Sequence, residues 1–290
     1  MVITRLTGGL GNQLFQYALG RALANSQRTI LKLDVSAFET YKLHAYSLHH
    51  FNLRAAIASP SDCARFYSSS MTKRLRRLAA RLVGNPYHTV KERTLFKYDP
   101  SQFPRTHNLY LHGYWQTEKY FNDITSILRS ELTFKTMADP VNADFAVQIQ
   151  QKTNAVCIHV RRADYVSDAQ ANAFHGTCSL DYYRRAMTKL ADSVVNPHFF
   201  VFSDDPVWTR ANLYLDKPAT FVSHNKADHN YEDLRLMSLC KHFIIANSYF
   251  SWWGAWLNPN DNKIVVAPKK WIQTPESHPN DILPPSWIKL

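Results

Sequence analysis

Cys157-Ile158-His159-Val160-Arg161-Arg162-Ala163-Asp164-Tyr165 reads as the end of a buried strand, Ala155 to Val160, that breaks into two arginines and an aspartate. An apolar run that turns charged at its C-terminal end is typical of a strand in an open α/β sheet. Ligands of such sheets bind in the crevice beyond the strand ends. A guanidinium there presents a rigid fork of donors suited to phosphate. The plainer alternative is that Arg161 and Arg162 are two solvated charges after a strand.

Outward from this stretch the pattern repeats. Strands are expected over 198–203, 220–222, 242–247 and 263–267, with helices over 144–152, 180–194, 228–239 and 252–257. A polar loop holding Ser167, Asp168, Gln170, Asn172, His175 and Gly176 follows Asp164, and the proline-rich tail reads as irregular. The N-terminal region follows the same logic. A strand over 2–6, the turn Thr7-Gly8-Gly9-Leu10-Gly11-Asn12, a helix over 12–24 and a second strand over 29–34 make a βαβ opening. Further on, 109–114 reads as a strand and 122–132 as a helix. The pattern argues for two α/β layers, each with a mostly parallel sheet. The best boundary is 136–141, with Pro140, which divides 1–140 from 141–290.

The glycine turn between strand and helix is a layout that aims backbone N–H groups at a phosphate. It is neither a complete G-x-G-x-x-G, because Leu14 takes the last glycine position, nor a Walker A loop. A tight βα turn with glycines at positive φ is the alternative. The His-rich region 42–59 (His44, His49, His50) lacks metal-ligand spacing and reads as surface or packing histidines. The segment 71–82 reads as a basic helix. It is either a solvated helix docked by its apolar stripe or a contact for an anionic membrane or acceptor.

Three strand ends of the second half carry polar residues: His159, Arg161 and Asp164; Ser203, Asp204 and Asp205; Asn247, Ser248 and Ser251. Parallel strands bring these ends to one edge. Ser248 or Ser251 can cap the helix that follows, and its first N–H groups favour an anion. Asp204-Asp205-Pro206 can equally cap the next helix, and Trp252-Trp253-Gly254-Ala255-Trp256 reads as packing between helix and sheet. No D-x-D occurs, so a nucleotide diphosphate here would be neutralised by arginine and backbone N–H groups.

The 290 residues carry a formal charge of +11, with 45% hydrophobic residues and fifteen tyrosines, sixteen phenylalanines and seven tryptophans. Such a surface favours anionic partners without choosing among them. The four cysteines are far apart, which fits a reducing compartment. No h-region and no run of about 18 apolar residues appears, so the reading is an intracellular protein, at most peripheral to a membrane.

Gly8-Gly9-Leu10-Gly11-Asn12-Gln13-Leu14-Phe15-Gln16-Tyr17-Ala18, the block His159 to Tyr165, Phe202-Ser203-Asp204-Asp205, and Asn247-Ser248-Tyr249-Phe250-Ser251-Trp252-Trp253-Gly254-Ala255-Trp256-Leu257 together resemble the bacterial α-1,2-fucosyltransferases of glycosyltransferase family 11. Ala163 departs from the glycine common at that place. The resemblance implies a GT-B-like fold, two Rossmann-type domains facing a central cleft, with the acceptor and the glycine loop on the N-terminal side. It implies inverting transfer of fucose from GDP-fucose to the 2-hydroxyl of a terminal β-galactose, in surface polysaccharide or O-antigen synthesis, with no cofactor and no metal. It places the protein in the bacterial cytoplasm or on the inner membrane, with a lipid-linked oligosaccharide as one form of the acceptor.

Arg161 is then expected at the diphosphate, with His159, Arg162, Ser203, Asp204, Asp205, Asn247, Ser248, Phe250 and Ser251 around the donor, joined by Gly9, Gly11, Asn12 and Gln13. Asp168, Asp164 and His175 are the candidate bases, Asp164 otherwise structural. Two rival classes remain at this level. A nucleic-acid-binding protein would use the basic, aromatic-rich surface, though no nucleic-acid motif is present. A dinucleotide oxidoreductase would use the glycine loop with Asp34, but Leu14 breaks the fingerprint.

Overall fold

The computed structural model describes residues 1–41, 43–66, 87–104, 106–273 and 281–290, leaving the side chain of Asp164 aside. The basic helix expected over 71–82 lies outside the described residues. The chain forms two compact units that part between Lys135 and Thr136. Asp281 and Ile282 return to the first, and Leu283–Leu290 belong to the second. Pro140 opens the helix Pro140–Gln151, which Asp139 caps by accepting from the N–H groups of Val141 and Asn142. Proline at the first helical position gives up no intrahelical bond, so this helix begins earlier than the expected 144.

The first unit is built on β1 (Val2–Arg5), β2 (Leu31–Asp34), β3 (Ala56–Ile57), β4 (Tyr87–Lys91) and β5 (Asn108–His112), in the order β3-β2-β1-β5-β4. Every ladder is parallel. The helix Leu10–Ser26 packs so closely on β1 that a Cβ on Gly20 would stand 2.2 Å from Thr4 Oγ1. Farther along the same helix, the Glu131 carboxylate accepts from Tyr17 Oη at 2.5 Å and from Arg21 Nη2 at 2.9 Å. This pair of contacts ties the helix Leu10–Ser26 to the helix Thr125–Glu131. Burial first, and the carboxylate second, push the Tyr17 phenol far above its usual range.

The second unit holds β6 (Ala155–Val160), β7 (His198–Ser203), β8 (Ala219–Val222), β9 (His242–Ile244), β10 (Val265–Ala267) and β11 (Ile288–Lys289), in the order β8-β7-β6-β9-β10-β11. All ladders are again parallel. Counted from β6 this is the Rossmann order 3-2-1-4-5-6, which reverses between β6 and β9. All six residues of β6 are buried, as a central parallel strand covered on both faces requires. Val156, Ile158 and Val160 pack on Tyr182, Tyr183, Ala186 and Leu190 of the helix Leu180–Ala191. Trp252, Trp253 and Trp256 are buried, so the packing reading of that run holds.

Several elements differ from expectation. The loop after Asp164 forms two short helices, Ala163–Ser167 and Ala169–His175. The segment over 122–132 begins as a 3₁₀ turn, Asn122–Ile124, before its helix. The strands β3, β4 and β11 were not anticipated. β3 and β11 are two residues long, too short to display a period of two. Among the described residues no helix is long and apolar enough to cross a membrane.

Candidate active site

In a sheet of Rossmann order the ligand crevice lies beyond the strand ends where the order reverses, here those of β6 and β9. Register then builds the β6 side. Val160 pairs with Ser203 on β7, so the residues that follow, Arg161 and Asp204, emerge side by side. Arg161 Nη1 stands 2.9 Å from Asp204 Oδ2, and the Arg162 backbone N–H donates to Asp204 Oδ1 at 2.8 Å. One carboxylate thus fixes both the Arg161 side chain and the chain reversal after β6. The Arg161 guanidinium also lies 5.2 Å from the Tyr165 ring.

Arg162 points differently. Its guanidinium sits 3.4 Å over the Trp208 ring, with Nε 3.5 Å from Asp205 Oδ2. Asp205 also caps the helix Pro206–Asn212 by accepting from the Trp208 N–H at 3.1 Å. Ser203 Oγ accepts from the Asp205 N–H at 3.0 Å. The bonds of Asp204, Asp205 and Ser203 run to the arginines, to the helix cap and to the turn. The arginines at the strand end are held in an ion cluster rather than solvated.

On the β9 side, Asn247 is 2% exposed. Its Nδ2 donates to the carbonyls of His175 at 2.9 Å, Gly176 at 3.2 Å and Trp271 at 3.3 Å. Its Oδ1 faces Cys178 Sγ at 3.5 Å. The side chain ties the loop after the helix Ala169–His175 to the strand end. Ser248 stands at the N-cap of the helix Tyr249–Leu257, yet its side chain makes no capping bond. Ser251 Oγ turns back to the Ser248 carbonyl at 3.3 Å. The helix start thus presents uncapped N–H groups and the Ser248 hydroxyl, with the dipole favouring an anion.

His159 is 4% exposed, and its Nδ1 has no hydrogen-bond partner. Its carbonyl accepts from Tyr183 Oη at 3.0 Å, and the Phe250 ring lies 6.0 Å away. Burial, reinforced by Arg161, pushes the imidazole down to about 3 from 6.5, so the ring is neutral. The folded state then binds fewer protons than the unfolded state between pH 6.5 and 3. Stability is full above pH 6.5 and falls as the pH is lowered through that window, by up to about 1.4 kcal/mol per pH unit for this one group. Urea unfolding at pH 7.5, 6 and 5 should give a shallower loss for His159→Gln than for the wild type; equal slopes would contradict this.

Two candidate bases sit at the ends of the helix Ala169–His175. Asp168 is its N-cap, with Oδ1 accepting from the N–H groups of Gln170 and Ala171 at 2.8 and 3.2 Å. The observed bonds of Asp168 are thus those of a cap. The His175 ring stacks on Tyr165 at 4.5 Å between centroids and 3° between planes. Asp164 lies in the helix Ala163–Ser167, and its side chain is outside the described part. Tyr165 and Trp208 were given no role from the sequence, although each meets an arginine of the cluster. Their signal was an aromatic residue four positions after Arg161 and three after Asp205.

The glycine-loop residues belong to the first unit. Gly8 has φ +79°, a value glycine tolerates, and Gly9 is an N-cap without a side-chain bond. Gly11 is buried within the helix, and Asn12 Oδ1 accepts from Gln116 Nε2 at 2.7 Å. Gln13, 0% exposed, spends its whole amide internally. Its Nε2 donates to the carbonyls of Gly8 and Ala45, and its Oε1 accepts from the Ser47 N–H, each at 2.9 Å.

The glycosyl transferase family 11 pattern matches residues 79–290. The chain is a member of glycosyl transferase family 11. This family-11 chain is 31% identical to the α-1,2-colitosyltransferase of Escherichia coli, with 100% of this chain and 99% of that one covered. It is also 31% identical to the O-antigen biosynthesis glycosyltransferase WbnK of Escherichia coli, over 98% and 99% of the two chains. Among solved structures, the NodZ α-1,6-fucosyltransferase co-crystallised with GDP matches with a TM-score of 0.53 and 14% identity, covering 89% of this chain and 92% of that one. The likeness establishes a GT-B-type fold of two Rossmann-like units for the family-11 chain. Family membership makes the protein a glycosyltransferase and leaves the nucleic-acid-binding and oxidoreductase readings without support.

Proposed function

We propose that this glycosyltransferase moves L-fucose from GDP-fucose to the 2-hydroxyl of a terminal β-galactose. The anomeric centre inverts and an α-1,2 linkage forms, within O-antigen synthesis. The acceptor in the cell is a lipid-linked oligosaccharide presented at the cytoplasmic face of the inner membrane. The observation that carries the reading is Arg161, fixed by Asp204 at the switch point and accompanied by the uncapped helix start at Ser248. Relatives with α-1,2-colitosyl and O-antigen activities support the linkage and the context, and a fucosyltransferase of the same fold that binds GDP supports the donor.

As the bond to the sugar breaks, negative charge grows on the departing GDP and oxocarbenium character on the fucose. Arg161 and the N–H groups of Phe250 and Ser251 in the first turn of the helix Tyr249–Leu257 oppose that charge more strongly in the transition state than in the ground state, which is the condition for acceleration. This positive charge takes the place of a divalent ion, so turnover is expected to survive EDTA. The neutral imidazole of His159 offers an unused Nδ1 to the nucleotide. Arg162, committed to Trp208 and Asp205, shapes the turn rather than the charge.

The 31% identity to a colitosyltransferase favours a second reading, in which the donor sugar is colitose, the 3-deoxy form of fucose. Comparing kcat/KM for GDP-fucose and its 3-deoxy analogue decides between them. A site that hydrogen-bonds the 3-hydroxyl rejects the analogue strongly, because its own polar groups are left unpaired. A preference for GDP-fucose of tenfold or more is expected; a preference for the 3-deoxy donor would replace fucose with colitose.

A further inference from the structure

The His-rich stretch between β2 and β3 has no part in the site described above, yet it is an organised feature of the first unit. Phe38, Tyr41, His44 and Tyr46 are all half-buried, and their rings form a connected series. Phe38 lies 6.4 Å from Tyr41 and 6.2 Å from Tyr46, and Tyr41 lies 6.0 Å from His44. His49 extends the series from Tyr46 at 5.6 Å, and Leu43 alongside is 63% exposed. Half-exposed aromatics in a row are an unusual use of surface, since large rings contribute most when fully covered.

The stretch is also pinned in place. Gln13 holds the Ala45 carbonyl and the Ser47 N–H with the same amide that holds the Gly8 carbonyl, each at 2.9 Å. The His44 ring rests against Gly9, where a Cβ would stand 3.4 Å from its Cε1 and Nε2. A fully buried glutamine therefore locks the aromatic loop onto the glycine loop after β1. In the sheet order β3-β2-β1-β5-β4, the strand order reverses at β1 and β5. The aromatic loop is thus anchored beside the ligand-binding edge of the first sheet.

From this geometry we infer that Phe38, Tyr41, His44 and Tyr46 form the acceptor site, a stacking platform for a pyranose ring of the β-galactoside. The inference rests on the proposed function for the identity of the sugar. The C–H face of a pyranose is weakly positive and apolar, and it matches the negative face of an aromatic ring. Its hydroxyls match the phenol and imidazole edges, which both donate and accept. Preordering by Gln13 reduces the entropy lost when a flexible glycan binds.

The test uses the full-length protein with lactose as probe. By saturation-transfer NMR without donor, wild type should transfer saturation to the galactose ring protons. Tyr46→Ala and Phe38→Leu should lose most of that signal, and Tyr46→Phe should keep it. In steady-state assays Tyr46→Ala should raise the KM for lactose at least tenfold while the KM for the donor stays within twofold. Phe38→Leu keeps an apolar side chain of similar bulk, so its loss of signal with an unchanged thermal midpoint isolates the π face. Lactose saturation equal to wild type in both variants, or a lactose KM within twofold, would overturn the inference. Saturation that depends on Tyr46 in a protein that transfers no fucose would uphold the platform and overturn the proposed reaction.

Discussion

Arg161→Ala is expected to lower kcat by about 10²–10³-fold while leaving the fold and thermal midpoint unchanged, the size of effect that follows loss of one group stabilising a developing anion. The side chain is 25% exposed and ends a strand, so its removal opens no core cavity. Arg161→Lys should recover little. An ammonium is a point charge without the planar fork, and it cannot hold Asp204 and a diphosphate oxygen in the same geometry. Steady-state kinetics with circular dichroism on the same preparations checks this. Activity within tenfold of wild type would remove Arg161 from the role assigned to it.

Asp204→Asn is expected to lower kcat by about tenfold to a hundredfold, acting through Arg161 rather than on the sugar. The carboxylate serves two donors, Arg161 Nη1 at 2.9 Å and the Arg162 N–H at 2.8 Å. An amide keeps one acceptor and loses both the charge and the second acceptor. The double variant separates this from a general structural effect. Residues that act as one unit are non-additive, so Arg161→Ala with Asp204→Asn should be little worse than Arg161→Ala alone. Multiplied effects would mean that Asp204 works independently of the arginine.

Much of the second unit was legible because its strands are long, apolar and end in charge. β6 and β7 fall within the stretches read from the sequence, and the three polar strand ends belong to one parallel sheet. The partners of the polar residues were not legible. That Asp204 holds Arg161 depends on Val160 lying opposite Ser203, a register between segments some forty residues apart. The ties of Asn247 to the carbonyls of His175, Gly176 and Trp271 have no local signal in the sequence. The partners of Gln13 were hidden for the same reason, since Ala45 and Ser47 lie more than thirty residues on. The helices around Asp168 were hidden by their shortness and polarity: the helix Ala169–His175 buries none of its residues, so no apolar stripe marks it.

The most direct test of the central claim is transfer from GDP-fucose to lactose by the full-length protein in EDTA, with the product linkage read by NMR. The account predicts an α-linked fucose on O2 of the galactose, formed at a rate that added divalent metal does not change. No transfer in EDTA with recovery on adding a divalent metal, or fucose on any other hydroxyl, would contradict it.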